Sequence, residues 1–342
     1  MMFQKYLKTS EKKRIYLHAE EVSNVGLSLI DIFRAIQYLF SDSAIVFLDE
    51  INNYQEWYNE IKIIYDKYPK MRFYITGSSS LNIMESKKKL ARRAKYIHIP
   101  TLTFREYVYL KNDIKLNKFI PGEDILLSAM RYDIYIREKL PNILTVVEEY
   151  ISTNLPYLFE NDYSTLSDLV EKVIYSDIAK VKNIETATLS KFERLIFLLS
   201  SSTKTSYEIL SKDLGVSKSV VGEMLTLLEK SEIIKKTTPY KKGKTSARKE
   251  WKYYFTVPSI RKLYAEKMLI PESDTKGNIK EDIFVSNFPE VFFSDIDFVW
   301  KKYLIEIGSK KKGFKQFKDI KTKLKKIIIY MGLDITRKND VY

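Results

Sequence analysis

The sequence predicts an α/β fold with a parallel sheet in its N-terminal part. A helical region, a helix-turn-helix with a β-hairpin and a small α+β C-terminal domain are expected to follow. Three observations carry this. Residues 44–48, AIVFL, form an unbroken apolar run that ends in two adjacent carboxylates, Asp49 and Glu50, as in a strand buried on both faces of a parallel sheet. Helix-like and strand-like stretches alternate from residue 14 to residue 100 at the spacing of βαβ units. After Phe104 the strand signal stops, and it returns only in a hairpin around 233–258 and again beyond residue 295.

Taken in order, residues 3–12 are polar and helix-like, and RIYLHAE (14–20) reads as a strand. Residues 28–40 place Leu29, Ile32, Phe33, Ile36, Leu39 and Phe40 at helical spacing. The strand ending at Asp49 follows, then a helix over 54–68 with Trp57, Ile61 and Ile64 inward, stopped by Pro69. MRFYITG (71–77) is a second buried strand that leads into Ser78, Ser79 and Ser80. A short helix near 81–90 ends in a basic cluster, and AKYIHIP (94–100) is expected to be a further strand. Residues 104–200 read as mainly helical. KFERLIFLLSS, TSYEILSKDL and KSVVGEMLTLLEKSE are three helices, the last entered through Gly215-Val216-Ser217 with a serine N-cap. IIKKTTPY and WKYYFTVP are strands joined by KKGKTSARKE, which completes the pattern of a winged helix-turn-helix. PESDTKGN (271–278) reads as a loop before strands near 296–300 and 303–307 and a lysine-rich tail. The expected division is 1–104, 105–189, 190–265 and 275–342.

At 342 residues the chain has room for two or three domains, and 45% hydrophobic content is enough for real cores. No apolar run reaches the roughly 18 residues of a membrane span, and MMFQKYLKTSEKKR contains no signal-peptide core, so a cytoplasmic location and no membrane partner are expected. The absence of cysteine excludes disulfides and thiolate metal sites, and two histidines argue against a zinc site. A net charge of +14 favours a polyanionic partner, most simply DNA, although a generally lysine-rich proteome would give the same balance.

Acidic residues at the C-terminal edge of a buried strand stand where ligands of open α/β sheets bind. Asp49 and Glu50 occupy the Walker B position, where the first carboxylate helps to hold Mg²⁺ and the second polarises an attacking water. A buried strand followed by an acidic helix start has the same appearance.

Several further segments resemble one family, the archaeal-type AAA-like P-loop ATPases that carry a winged helix and a restriction-endonuclease-like C-terminal domain. They are FLDEINNYQEW (47–57), ITGSSS (75–80), LARRAKYIHIPTLTFREY (90–107), YSDIAK (175–180), LSKDLGVSKSVV (210–221) and DIDFVWKKYLIEIGSKK (295–311), in the family's order. The resemblance implies ATP and Mg²⁺ as cofactors, with Asp49 on the metal, Glu50 as the base, and Thr76 and Ser78 (with Ser79 adjacent) in the γ-phosphate-sensing position. Arg93, in Leu90-Ala91-Arg92-Arg93, matches the family arginine that neutralises phosphate charge, and Arg92 replaces the family's glycine. A solvated basic helix end after Lys87-Lys88-Lys89 would look alike. The family's phosphate-holding loop, GxxxxGKS/T, lies upstream of the strand matching RIYLHAE, and about a dozen glycine-free residues precede that strand here. The lookalike Gly243-Lys244-Thr245 has Thr238 in place of the first glycine and falls in the hairpin loop. The core is therefore expected to be incomplete, and the chain alone is expected to bind Mg-ATP weakly or not at all. Either residues 94–100 pair directly with 71–77, or a slot stays open for a strand from a second copy or a partner chain.

The second helix of the helix-turn-helix and the wing are the expected DNA contacts. Lys218 and Ser219 begin that helix, and Lys241, Lys242, Lys244, Arg248 and Lys249 line the wing as phosphate contacts. In the C-terminal region, Asp297 and Glu306 match the nuclease acids of the resemblance, with Glu281 as an upstream acid. Gly308 stands where that motif has lysine, and Lys310 is the nearest replacement. Residues 301–326 hold eleven lysines against Glu306 and Asp319, which suits phosphate binding or a solvated final helix. The sequence thus favours a DNA-associated AAA-like ATPase. A non-catalytic DNA-binding adaptor and a metal-dependent nuclease stand as alternatives.

Overall fold

The computed structural model describes residues 13–40, 44–54, 56–78, 80–160, 163–182, 184, 186–202, 206–240, 251–288, 290–308, 317 and 320–329. The chain divides into two compact units, residues 1–99 with 177–183 and residues 100–176 with 184–342. The first boundary falls close to the expected one at 104. The three segments expected after it share the second unit, apart from the short stretch 177–183.

The N-terminal unit is built on three parallel strands in the order β1 (Arg14–His18), β2 (Ile45–Asp49), β3 (Arg72–Ile75). Helices α1 (Ala19–Asn24) and α2 (Leu29–Phe40) connect the first pair, and α3 (Trp57–Lys67) connects the second. Four of the five β2 residues are buried, so the apolar run is covered on both faces. Val46 and Leu48 join Ile15, Leu17, Phe73 and Ile75 against Phe33, Ile36, Trp57 and Ile61 of the helices. On the opposite face Phe47 stacks on Tyr74, with ring centroids 5.1 Å apart. The α2 N-terminus is closed by side chains of the next βα unit. Ile30 N donates to Glu60 (3.1 Å) and Leu29 N to the Tyr54 hydroxyl (3.3 Å), which satisfies amides a helix start leaves open.

Residues 94–100 do not form the expected strand. They follow α4 (Ser80–Lys89) in an extended path without ladder hydrogen bonds, and Ile97 and Ile99 are 78% and 77% exposed. Alternating β-branched residues make a segment competent to pair, but a strand also needs a neighbour to take up its backbone groups. Among the described residues β3 pairs only with β2, so 94–100 has not closed onto it.

In the second unit, α5 (Phe104–Asn112), α6 (Ile125–Lys139) and α7 (Ile143–Thr153) enclose Tyr107, Val108, Ile136, Val146 and Tyr150. The TLTFREY stretch is what starts α5. Thr103 and Glu106 form a reciprocal capping box, and Tyr107 and Tyr150 pack edge to face. After α8 (Leu166–Lys172) and a π-helical turn (Val173–Ile178), the first unit takes α9 (Ala179–Lys182), and the second resumes with three helices, α10 (Thr186–Ser201), α11 (Tyr207–Leu214) and α12 (Lys218–Lys230). An antiparallel pair, β4 (Ile234–Thr237) and β5 (Lys252–Phe255), follows. Then come α13 (Pro258–Lys267), α14 (Glu272–Asn287) and a four-stranded sheet in the order β6 (Phe292–Phe293), β7 (Phe298–Trp300), β8 (Tyr303–Ile307), β9 (Lys325–Ile329).

The stretch 271–278 is the start of α14 and not a loop. Pro271 takes the N-cap position, Glu272 and Asp274 place negative charge in the first turn, and Thr275 is buried. These outweigh the polar composition and Gly277 that suggest a loop.

Arg261 of α13 and Asp282 of α14 hold this unit together. Both side chains are 0% exposed. The guanidinium donates twice to the carboxylate, once through Nη2 to Oδ1 at 3.0 Å, and to the Leu199 and Ser200 carbonyls at the end of α10. Asp282 also accepts from Phe255 N at 2.9 Å. One ion pair therefore ties α10, α13, α14 and β5. Removing one partner strands the other charge in the core, at a cost of about 3–5 kcal/mol. Arg261→Met is expected to lower unfolding free energy by that amount in urea denaturation, and Arg261→Met with Asp282→Leu to recover a large part of it. A loss below about 1 kcal/mol in the single variant would show that the pair is not a structural tie.

Candidate functional site

Asp49 ends β2, where the parallel register sets it beside His18 of β1. The next residues of β3's chain continue alongside it, with Thr76 N donating to Leu48 O (2.9 Å) and Ile51 N to Thr76 O (3.0 Å). Side chains on one face of a strand recur every second residue, so Tyr16, Phe47, Asp49, Tyr74 and Thr76 share a face. The consequence is a hydrogen-bonded cluster around Asp49. The Tyr16 hydroxyl donates to Oδ2, and the Thr76 hydroxyl and Glu50 N donate to Oδ1.

Glu50 sits in the left-handed region at φ 52°, which turns the chain into a short 3₁₀ turn, Ile51–Asn53. Its carboxylate accepts from the Ser78 hydroxyl at 2.8 Å, and Ser78 accepts from Asn52 Nδ2 at 3.2 Å. Gly77 makes room for this arrangement, because a Cβ there would lie 2.5 Å from Asn52 Oδ1. Four of the five expected nucleotide-site residues thus converge at the ends of β2 and β3.

Arg93 is held elsewhere. Its Nε and Nη2 donate in a fork to both Asp66 oxygens, each at 2.9 Å. Asp66 lies in the last turn of α3, which leads back toward the start of β3, whereas Asp49 is the last residue of β2. Ser79 lies outside the described residues.

Burial acts to raise the Asp49 pKa, but hydrogen bonds from Thr76, Tyr16 and Glu50 N outweigh it and leave the carboxyl below its ordinary value. The same contact, with burial, pushes the Tyr16 phenol up to about 12. Asp49 is therefore ionised at neutral pH. A carboxylate flanked by hydroxyl oxygens is a hard donor set of the kind Mg²⁺ takes together with water and phosphate oxygens. Among the described residues, no group of three or more acidic or histidine side chains is placed to form a full metal cage.

Tyr16, Asn52 and Gly77 are missing from the sequence-derived site. The face parity of Asp49 and Thr76 was legible, but Tyr16 joins them only through the β1–β2 register.

The expected DNA residues are partly visible. Lys218 lies 3.3 Å from Glu208 in a solvent-exposed ion pair. Ser219 is exposed on the first turn of α12, on a face that also carries Glu223, Thr226 and Lys230. Ser217 caps the helix, accepting from Val220 N at 3.3 Å. Lys241, Lys242, Lys244, Arg248 and Lys249 lie outside the described residues.

In the C-terminal sheet, β7 and β8 run antiparallel with Phe298 opposite Ile305, which brings Asp297 and Glu306 to adjacent positions. Asp297 Oδ2 accepts from Ile307 N at 2.6 Å. Burial and the nearby Asp297 raise the Glu281 carboxyl to about 7, against the opposing charge of Lys252. Gly308 lies close to Glu306, with 3.1 Å from its would-be Cβ to Oε1, and Lys310 lies outside the described residues.

Comparison with known proteins agrees with the N-terminal geometry. Residues 1–108 match the AAA domain family. This part of the chain is similar to AAA domains. Residues 156–266 match a family described as a domain of unknown function, DUF8612. Over 343 residues the chain is 29% identical to the uncharacterized protein MJ1637 of Methanocaldococcus jannaschii, covering 96% of this chain and 70% of that protein. Among the described residues no helix is long and apolar enough to cross a membrane.

The hydrogen bonds that depress Asp49 can be removed singly. Tyr16→Phe and Thr76→Val are each expected to raise the Asp49 carboxyl pKa, read from its side-chain ¹³C shift during a pH titration. Because the folded value is the depressed one, the stability this carboxylate adds is present above its unfolded pKa of about 3.9 and is lost as pH falls through the folded value. Both variants are expected to lose stability at neutral pH relative to strongly acidic pH. An unchanged Asp49 titration in both would show that these hydroxyls do not govern it.

Proposed function

We propose that the protein is a DNA-associated AAA-like ATPase, in which this chain supplies the metal-binding and water-activating side of the nucleotide site. The observation that carries the reading is the convergence of Asp49, Glu50, Thr76 and Ser78 at the C-terminal ends of two parallel strands. The AAA-domain match over residues 1–108 supports it.

Mg²⁺ held by Asp49 would neutralise phosphate charge as the γ-phosphoryl group is transferred. Thr76 and Tyr16 fix the rotamer of Asp49 before any ligand arrives, which is the preorganisation such sites need. Glu50, presented by its left-handed backbone and held by Ser78, takes a proton from the attacking water. Ser78 bridges Glu50 and Asn52 and is placed to register a γ-phosphate by exchanging partners. For Arg93 to stabilise phosphate charge it must leave Asp66 or act on a neighbouring copy. The 342 residues contain no GxxxxGKS/T motif, so in this reading a partner chain supplies the phosphate-holding loop. That same fact favours the second reading, a non-catalytic DNA-binding adaptor.

DNA association is supported by the +14 charge and by the order of three helices and an antiparallel strand pair from α10 to β5, which this reading takes as a winged helix-turn-helix. In this reading Lys218, Ser219 and the hairpin lysines face the duplex. Asp297, Glu306 and Glu281 are the remnant of a nuclease-like site.

The test is ATP turnover by the gene product purified from its own host, wild type against Glu50→Gln. The expected result is turnover that falls about 100-fold or more, in the range of a lost catalytic base, while Mg-ATP binding is retained. Equal turnover in both forms would remove Glu50 from the mechanism, and no turnover in the wild type would favour the adaptor.

A further inference from the structure

We propose that the turn after α4 is a second polyanion-binding surface, through which the N-terminal unit grips the phosphodiester backbone of nucleic acid. It extends the DNA-associated reading to a part of the chain remote in sequence from the helix-turn-helix. Residues 86–99 hold Lys87, Lys88, Lys89, Arg92, Arg93 and Lys95 with no aspartate or glutamate.

Three features distinguish this stretch from a solvated helix end. First, the turn is fixed. Leu90 is buried at 2% exposure, Arg93 N donates to Leu90 O (3.0 Å), and the Arg93 side chain is clamped on Asp66. Second, two of the lysines lie over aromatic rings. Lys87 Nζ lies 5.4 Å from the Tyr96 ring centroid, and Lys89 Nζ lies 4.4 Å from that of Tyr58. Tyr96 is itself pinned by Ser86, hydroxyl to hydroxyl at 3.0 Å. A cation over a ring keeps its full charge for an incoming anion, whereas an ion pair neutralises it. Of the cations from Lys87 to Lys95, Arg93 is the one in a described salt bridge.

Third, the charge exceeds what the helix end uses. Complementing a helix C-terminus involves groups within its last turn. Arg92, in the left-handed region at φ 69°, and Lys95 lie beyond the last residue of α4 and are exposed. A fan of lysines with an exposed arginine tracks a line of phosphates without reading bases. Duplex DNA offers one charge per roughly 1.7 Å, so such a fan finds partners in any register.

The test is fluorescence anisotropy with labelled duplex DNA, single-stranded DNA and RNA of one sequence, titrated across a range of salt. Arg92→Glu with Lys95→Glu changes exposed residues outside any helix, and Lys87, Lys88 and Lys89 changed together to Glu is the second variant. Melting curves confirm that both stay folded. Each is expected to weaken binding about tenfold or more and to reduce the salt slope by about two to three, near 0.9 per lost phosphate contact. The three polymers distinguish a duplex surface from a single-strand surface. Changing Lys241, Lys242 and Lys244 to Ala is the comparison. If that variant loses affinity while both α4-turn variants bind all three polymers like wild type, this surface is not a nucleic-acid contact although DNA association stands. If the wild type binds none of them, both readings fall. Binding of polyglutamate with no binding of nucleic acid would assign the surface to an acidic protein and overturn the proposal.

Discussion

The burial of β2 on both faces is the constraint on which the N-terminal unit depends. A strand with Ile45, Val46, Phe47 and Leu48 all covered has one place to release its polarity, its C-terminal end. Asp49 emerges there because the apolar run stops there. The parallel register then determines its company. His18 lies on one side, Thr76 on the other, and Tyr16 reaches across from the same face. Shifting β2 by one residue would invert every side chain, turning Asp49 to the helix-covered face and Phe47 away from Tyr74. The hydrophobic pattern therefore fixes the chemistry of the site as well as the fold.

The second unit solves a different problem. Helices α10, α13 and α14 and strand β5 meet around a buried charge pair and not an apolar centre alone. Arg261 uses its fork on Asp282 and its remaining donors on carbonyls at the end of α10, which a helix terminus leaves open. The Thr238–Tyr240 segment after β4 is joined to β6 by hydrogen bonds from Tyr240 N to Phe293 O and from Phe293 N to Thr238 O. The segment after β4 and the C-terminal sheet are therefore joined through the backbone.

Much of the site was legible from residues alone. An apolar run without alternation announced β2, and the carboxylates at its end announced the site. Thr76 and Ser78 came from the family resemblance at the polar exit of the next strand. Tyr16 was not legible, because register between parallel strands separated by two helices leaves no local trace. Arg93 was read as a phosphate partner through the family resemblance, and Asp66, which holds it, lies 27 positions away and leaves no local sign. Residues 94–100 carry the composition of a strand, and composition does not say whether a neighbouring strand is present. In 271–278 polar residues and Gly277 suggested a loop, while Pro271 and the acidic first turn decided for a helix.

The central claim is that this chain carries the metal and water side of a nucleotide site and not the phosphate-holding side. Calorimetric titration of the purified 342-residue chain with Mg-ATP tests it most directly. The account expects heats too weak to fit, in the wild type and in Asp49→Ala alike, because the 342 residues contain no GxxxxGKS/T motif to hold the phosphates. Micromolar binding that disappears in Asp49→Ala would contradict it, since a loop within these residues would then be holding the phosphates.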